Sequence, residues 1–527
     1  MSFDLRAVAA AAVCVVAVGV SAGTAQAQTQ PAQQPLRVLI VSDFTIADLA
    51  KLASRGAVGV LVPGVGPTVN RRQALAALVR GAVENARLGG VPVGPPLIVA
   101  DAPSGFPTGE PEIIVGLPPK GRPVLNDRRY PIAVVGRGYH GLLLSRTTRI
   151  PGVVSIIDVA PTALQRPGTM LLADGRSDAA AAATRLEARI EANNQLKLPA
   201  LVAVLVLTGF LVILRPRAAL FAIPAALLGN LVLGVVGPTS IPALIGALVV
   251  ATFAGAVLLE WLCGSEDRLL ALLTVVIAGY LVVLAVDPTS VAVAPLGPTQ
   301  NSRFFGVGNQ LETLLLAPVL AGAALAGRRF GVPGFLAFGA LGLVTVADNS
   351  FGADGGGAVV IGAGLAVLGG TLARLRVRGI GLCLLVAAAA VLGLIWIDQH
   401  GSLPNHLQSA FAGGVGGLVA VARNRVPLAY EPAAQQWTFV GPFFVSFVVT
   451  AAVALRGRQT PGRGALLLAV VVAVVASLLV NDSAAYELVA AVTTLAATRV
   501  SPLTFGPLRG LALRHAALGL ASEPAGD

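Results

Sequence analysis

The chain has 527 residues, of which 55% are hydrophobic and only 12% are charged, and its mean hydropathy is +0.80. This composition excludes a soluble globular protein and indicates a polytopic membrane protein. The formal net charge of +11 does not indicate a nucleic-acid partner, because the Lys and Arg residues cluster between apolar segments, where membrane orientation accounts for them.

The N-terminal residues 1–27 predict a secretory signal peptide. Arg6 precedes an apolar run from Ala7 to Val20, and Ala25-Gln26-Ala27 is a small-x-small cleavage site. The alternative is a short first helix that is not cleaved. In either case the polar linker 28–35 and the domain after it are expected outside the cytoplasm. The three cysteines show no metal-type spacing, so no metal or cofactor is expected.

Residues 36–175 predict an extracytoplasmic α/β domain, because short Val/Ile/Leu runs alternate there with Gly/Pro turns and two helical stretches. The segment 37–42 has the composition of a buried strand and ends in Asp43. Residues 176–197, which are rich in Ala and in Arg and Glu, predict an amphipathic connecting helix that leads into the membrane and turns its charges to solvent.

Three stretches carry a resemblance to a known fold: the strand ending in Asp43 with its continuation LAKLASRGAVGVLVPG, GPTVNRRQALAALVRG at 66–81, and GVVSIIDVAPTAL at 152–164. The domain resembles the alkaline phosphatase superfamily, which implies a small sandwich of that fold. Members carry a Thr, Ser or Cys nucleophile at the head of the second stretch and two metal ions held by Asp and His. Here Asn70 stands at the nucleophile position, with Thr68 two residues earlier. An amide is not a nucleophile, so we expect a degenerate site at Asp43, Thr68 and Asn70 and a binding or structural role.

Apolar runs of spanning length between residues 198 and 500 predict a transmembrane domain of about eleven helices, followed by a tail at 501–527. Alternate connections carry nearly all the basic residues. This bias predicts that those connections and the tail are cytoplasmic, and it places the remaining loops outside. We expect a multi-pass protein of a bacterial plasma membrane.

The loops assigned to the outer side hold the candidate site residues, because polar groups at a helix start in the membrane are costly unless they face a cavity or a partner. Candidates for binding a substrate or an anion are Arg303, Asn309, Glu312, Asp348, Asp354, Arg423, Arg425, Asp482 and Glu487. Candidate catalytic residues are Asp398, His400 and His406 in the long loop 398–436, since His can exchange a proton near neutral pH. Each also has a structural alternative as a loop hydrogen-bonding residue, a helix cap, or part of a glycine-rich packing surface.

The order of the elements RFFGVGNQLE, GADGGG, DQHGSLPNHLQ and NDS resembles a family of bacterial polytopic membrane proteins that carry an alkaline-phosphatase-like ectodomain. The resemblance implies an architecture and no activity.

Three functions remain open on the sequence. The first is a glycosyl- or phosphotransferase-like enzyme that acts on a lipid-linked substrate at the outer face, by analogy with polysaccharide polymerases. The second is a non-catalytic scaffold or binding protein of the envelope, and the third is a transporter or lipid translocase. The expected partners are membrane lipids and a polyprenyl-phosphate-linked glycan or envelope polymer. An enzyme or transporter requires that the scattered polar residues converge in space.

Overall fold

The computed structural model describes residues 35–64, 68–81, 99–102, 111–136, 138–166, 170–298, 304–399 and 460–480, with isolated positions between 441 and 452. The predicted signal peptide, most of the loop 398–436, the predicted spans at 437–455 and 484–499 and the tail therefore lie outside the described residues, wholly or for the most part. The described chain forms an α/β sheet domain followed by a helical membrane domain, as the composition predicts.

The sheet domain is built on one mixed sheet. Its strands are β1 (Arg37–Val41), β2 (Gly56–Val62), β3 (Thr68–Val69), β4 (Val99–Ala102), β5 (Glu112–Val115), β6 (Val124–Leu125), β7 (Tyr130–Val135), β8 (Gly141–Leu144), β9 (Val153–Ser155) and β10 (Leu172–Ala173). The order is β10-β8-β2-β7-β5-β1-β4, with β9 also beside β2, while β3 and β6 form a separate pair. β1 is parallel to β4 and β5, and β7 is antiparallel to both β5 and β2. Every residue of the central strand β2 is buried, which explains its continuous apolar sequence.

Helices cover both faces of this sheet. The sheet domain contains α1 (Leu49–Leu52), α2 (Arg71–Arg80) and α3 (Val159–Ala163), and 3-10 turns at Ile46–Asp48 and Ile156–Asp158 precede α1 and α3. α2 and α3 pack on one face, where Leu78 and Val159 are fully buried. Leu49 and Leu52 of α1 pack on the other face with the first turns of the next helix.

The membrane domain contains α4 (Ala179–Leu214), α5 (Pro216–Val236), α6 (Ile241–Leu262), α7 (Glu266–Val286), α8 (Pro288–Ala292), α9 (Asn309–Ala347), α10 (Gly355–Leu372), α11 (Val377–Gln399) and α12 (Pro461–Val480). Seven helices of the described residues are long and apolar enough to cross a membrane. These seven helices do not establish the predicted count of about eleven membrane spans. Two predicted spans lie largely or wholly outside the described residues, and α9 alone covers two others.

α9 is a helical hairpin that reverses at Gly331, where φ is 73° and ψ is −158°. A Cβ added at Gly342 would lie 2.6 Å from Val319, and one added at Gly322 would collide with the ring of Phe338. These pairs place the two halves side by side and antiparallel, so α9 accounts for the predicted spans 311–326 and 333–347. Glycine at the contacts allows the close approach.

The helices alternate in direction, which gives the membrane domain two distinct ends. α4 leaves the sheet domain, so its start, the α5–α6 and α7–α9 connections and the loop before α10 lie at what we call the sheet-side end. The opposite, far end holds the α6–α7 connection and the turn of α9, which are joined by ion pairs of Arg328 with Glu266 at 2.6 Å and Arg329 with Asp267 at 3.5 Å. These pairs are partly exposed and contribute little to stability.

Candidate functional site

Two polar loops meet at the sheet-side end. Residues 304–308 lead into α9, and residues 348–354 lead into α10. The amide of Val307 donates to Gly352 O at 2.8 Å, and the amide of Asp354 donates to Val346 O at 2.9 Å. Gly306 has a φ of 81°, and a Cβ there would collide with Gly352 O. The glycines therefore allow the two loops to pack backbone against backbone.

Two predicted site residues converge where these loops enter their helices. Glu312, in the first turn of α9, is 0% exposed, and Asp354, which caps α10, is 1% exposed. Asp354 Oδ1 accepts from the amide of Gly357 at 3.1 Å. A Cβ added at Gly357 would lie 3.0 Å from Glu312 Cγ and 3.1 Å from its Cδ. Both carboxylates thus lie against Gly357 at the N-terminus of α10, where the helix dipole favours negative charge.

The sheet domain reaches this pair of loops through Arg149, which the sequence did not single out. Its Nη1 donates to Asn349 O, its Nη2 donates to Asn349 Oδ1 at 3.4 Å, and its guanidinium lies 4.0 Å from the centroid of the Phe305 ring. Arg149 has a φ of 55°, an unusual backbone conformation for a residue with a side chain. One side chain of the sheet domain therefore contacts both loops that carry the buried carboxylates.

An apolar cluster completes the contact between the two domains. Val60, Val62, Ile150 and Val153 of the sheet domain pack with Leu186 and Ile190 of α4 and with Ala292, Val293 and Phe304 at the sheet-side end. Ile150, next to Arg149, is fully buried. Burial of an Ile or Phe side chain stabilises by about 1.5–3 kcal/mol, so the sheet domain is packed on the membrane domain as well as joined to it by the chain.

The connecting helix turns only part of its charge to solvent, in contrast to the fully solvated face that the sequence predicts: Arg185 and Glu191 are exposed, whereas Glu187 and Arg189 are half-buried. Arg189, Asn193 and Lys197 are spaced four residues apart on α4, and each donates to a backbone carbonyl at the sheet-side end. The acceptors are Gly234 O at 2.6 Å, Val293 O and Pro298 O, respectively. Four-residue spacing places the three on one helix face, and this face binds the loops. Arg185, which pairs with Asp178, is exposed as predicted.

The three residues predicted for a degenerate phosphatase site are a helix cap and two exposed side chains. Asn70 is the N-cap of α2 and accepts from the amide of Gln73 at 2.8 Å, while Asp43 and Thr68 are exposed. Arg71 forms an ion pair with Asp101 of β4 at 3.1 Å. The start of α2 therefore lies beside β4, the edge strand that pairs with β1. No group of three or more His, Cys, Asp or Glu that could hold a metal occurs among the described residues.

Asp158, in the most specific stretch of the resemblance, is the centre of a buried network. It accepts from the hydroxyls of Ser145 at 2.6 Å and Thr147 at 2.5 Å and from the amide of Ser155 at 3.0 Å. Burial raises the pKa of Asp158, and the three hydrogen bonds oppose this rise. Asp158 therefore fixes the turn between β9 and α3, which is a structural role.

Two other predicted residues, Asn309 and Asp348, belong to the same two loop-to-helix junctions, and most of the remaining ones lie outside the described residues. Asn309 is half-buried at the start of α9, and Asp348 accepts from the amide of Ser350 in the loop before α10. The backbone of Asp398 lies in the last turn of α11, which ends at Gln399. The remaining predicted site residues lie outside the described part of the chain: Arg303, His400, His406, Arg423, Arg425, Asp482 and Glu487.

A comparison of the chain with protein-family models, with curated proteins and with solved structures finds no match.

Proposed function

We propose that the protein is an envelope enzyme of the glycosyl- or phosphotransferase type that acts on a lipid-linked substrate at the outer face of a bacterial plasma membrane. The observation that carries this proposal is the burial of Glu312 and Asp354 against Gly357, beneath the sheet domain. Ionisable groups buried at the end of a membrane bundle are costly, and they mark functional sites more often than random positions do.

The proposed orientation places the sheet domain outside the cytoplasm. The far end carries the basic connections, including Arg215, Arg328, Arg329 and Arg374, which favours a cytoplasmic far end. The sheet-side end and its carboxylates then lie at the outer leaflet, where the lipid anchor of an exported glycan would present its phosphate.

In the proposed reaction Glu312 acts as general base. It takes the proton of an acceptor hydroxyl while the hydroxyl oxygen forms the new bond to the transferred group, and the lipid phosphate leaves with the electron pair of the broken bond. Asp354 holds the start of α10 and supplies a second carboxylate near the same point. Asp398, His400 and His406 remain predicted participants from the loop 398–436, and Arg303, Arg423 and Arg425 remain predicted phosphate ligands.

The test is lipid analysis of the full-length protein purified in mild detergent, by native mass spectrometry and extraction. We expect a polyprenyl-phosphate-linked lipid to be retained, and to accumulate in Glu312→Gln, because that variant binds the substrate without activating the acceptor. Asp43→Asn, at the exposed end of β1, is the control and should match the wild type. Absence of a phosphate-bearing polyprenyl lipid from both the wild type and Glu312→Gln would contradict the proposal.

A non-catalytic scaffold is the second candidate. It is favoured by the capping role of Asn70 and by the packing of the sheet domain on the membrane helices, since both give that domain a structural part. Under this alternative Glu312→Gln would change stability and leave bound lipid unchanged.

A further inference from the structure

The course of α4 identifies the edge of the sheet domain that faces the membrane. The first turns of α4 pack in one cluster with Val58 of β2, and Leu186, further along the helix, packs in another cluster with Val62 at the end of the same strand. α4 and β2 therefore run in the same direction. Because the apolar run of α4 begins at Leu198, the edge of the sheet at which β2 ends faces the bilayer.

One loop, residues 116–129, leaves the sheet at this edge. It joins the end of β5 to the start of β7, and β2 and β5 are both antiparallel to β7, so they end at the same edge. The second half of the loop contains β6, which pairs with β3, and the Asn126 side-chain amide donates to Gly64 O at 2.8 Å. The loop is therefore a defined structure on the membrane-facing edge.

The last residue of the loop fixes the height of its base above the bilayer. Arg129 Nε donates to the carboxylate of Glu187 at 3.1 Å, and Glu187 lies eleven residues before Leu198 on α4. Eleven residues of α-helix rise about 16 Å. The tip of the loop is about seven residues from either end, and a chain of that length extends up to about 23 Å, so the loop is long enough to reach the lipid head groups.

The loop exposes basic side chains that form no ion pairs within the described part of the chain. Lys120, Arg122 and Arg128 are exposed and unpaired there, and so is Arg72 in the first turn of α2, close to β3. The loop contains one carboxylate, Asp127, so its exposed surface carries a net positive charge. Clustered charge of one sign attracts partners of the opposite sign.

The edge of the sheet domain away from the bilayer is different. There Arg176 pairs with Asp174 at 2.7 Å, and Arg185 near the start of α4 pairs with Asp178 at 2.9 Å. The loop also presents Leu125, which is 65% exposed. An apolar side chain among unpaired cations is typical of a surface that binds an anionic membrane, where the cations meet phosphate and the apolar group enters the interface.

We propose that loop 116–129 docks on anionic lipid head groups of the leaflet that borders the sheet-side end, with Lys120, Arg122 and Arg128 as the lipid contacts. The lipid is assigned by position, since the loop lies on the edge that faces the bilayer and its tip is not covered by any described helix. Arg149 then holds the sheet domain to the loops of the membrane helices, and loop 116–129 holds it to the surrounding lipid. This inference does not rest on the proposed transferase, because it uses neither of the buried carboxylates.

The test is quenching of a fluorescent dye on the loop of the full-length protein in lipid nanodiscs. With Cys14, Cys263 and Cys383 replaced by Ala, Leu125→Cys carries the dye, and acrylamide, a neutral soluble quencher, measures the exposure of the dye. The nanodiscs contain phosphatidylcholine alone or an equal mixture of phosphatidylcholine and phosphatidylglycerol.

Two double variants separate the loop from the overall charge of the domain. Lys120→Gln with Arg122→Gln neutralises the tip of the loop. Arg176→Gln with Arg185→Gln removes the same charge at the other edge and is the matched control. All four side chains are exposed, so both variants should keep the fold.

We expect the dye to be shielded from acrylamide in the anionic nanodiscs, both without further changes and in the matched control. High salt should remove the shielding, because it screens the attraction between the loop and the lipid. A basic residue near an anionic membrane surface contributes about a fivefold factor to binding. The tip variant should therefore lower the ratio of docked to free loop about twenty-five-fold.

Equal quenching in the two lipid compositions, or full shielding of the dye in the tip variant, would overturn the proposal. Polyphosphate added to phosphatidylcholine nanodiscs is the probe for a soluble anionic polymer. If polyphosphate shields the dye as phosphatidylglycerol does, the partner is a polymer and the assignment to lipid is wrong. Shielding by phosphatidylglycerol that polyphosphate does not reproduce supports the lipid.

Discussion

Replacement of Arg149 by Ala should loosen the loops that carry the buried carboxylates. The change removes two hydrogen bonds from a charged donor to Asn349 and the stacking on Phe305. A charge-assisted hydrogen bond contributes about 1.5–3 kcal/mol and a cation–π contact about 0.5–2 kcal/mol. Water that enters the vacated space offsets part of this sum. We expect a net loss of about 2 kcal/mol in local stability, which is about thirtyfold in the opening equilibrium.

Hydrogen exchange with mass spectrometry measures this opening at the amides of Val307 and Asp354, which are bonded between or within the two loops. Arg149→Lys keeps the positive charge and the backbone conformation but lacks the guanidinium group that donates twice to Asn349. The two amides should therefore exchange at an intermediate rate in this variant. Arg185→Ala, on the exposed face of α4, should not change the rate. Unchanged exchange at both amides in Arg149→Ala would show that the loops hold their positions without Arg149, contrary to this prediction.

Three further predictions concern packing and titration. Gly357→Ala places a Cβ 2.7 Å from Val346 Cγ1 and 3.0 Å from Glu312 Cγ and should lower the free energy of unfolding by about 1–3 kcal/mol. Thermal unfolding should show part of that loss recovered when Val346→Ala and Glu312→Ala are combined with it, and losses that add without recovery would contradict these contacts. Burial raises the pKa of Asp158 in the folded protein above its ordinary value of 3.8. The stability that this shift contributes is therefore fully present below pH 3.8 and is lost as the pH rises through the raised pKa. The Tm of wild type relative to the non-titrating Asp158→Asn should therefore fall as the pH rises above 3.8, and a difference that grew with pH would reverse the assigned direction. Tyr280→Phe removes a buried hydroxyl that donates to Leu227 O at 3.0 Å and accepts from Asn230 at 3.1 Å; it should cost about 1–3 kcal/mol in unfolding free energy, and a loss under 0.5 kcal/mol would show that another group satisfies these atoms.

Local patterns predicted the architecture, because each depends on a few neighbouring residues. The strand before Asp43, the helix over 71–80 within the second quoted stretch, and the apolar spans of the membrane domain are read from period and length alone. The reversal at Gly331 was also predictable as a gap between two apolar runs.

The candidate site was predictable as a set of positions and not as an arrangement. Glu312 and Asp354 are conspicuous as carboxylates at apolar helix starts, but their common contact with Gly357 depends on how two loops some forty residues apart pack together. Arg149 and Lys197 could not be selected from the sequence, since a cation beside a turn or at the border of an apolar run resembles any solvated charge. Only their burial and contacts in the folded protein distinguish these side chains from solvated charges.

The proposed orientation places the sheet domain and the buried carboxylates on the outside of the cell. With Cys14, Cys263 and Cys383 replaced by Ala, single cysteines at Asp43 in the sheet domain and at Arg378 at the far end, both exposed, report the orientation to a membrane-impermeant maleimide. We expect Asp43→Cys to be labelled in intact spheroplasts and Arg378→Cys to be labelled only after permeabilisation. Labelling of Arg378→Cys alone in intact spheroplasts would contradict it.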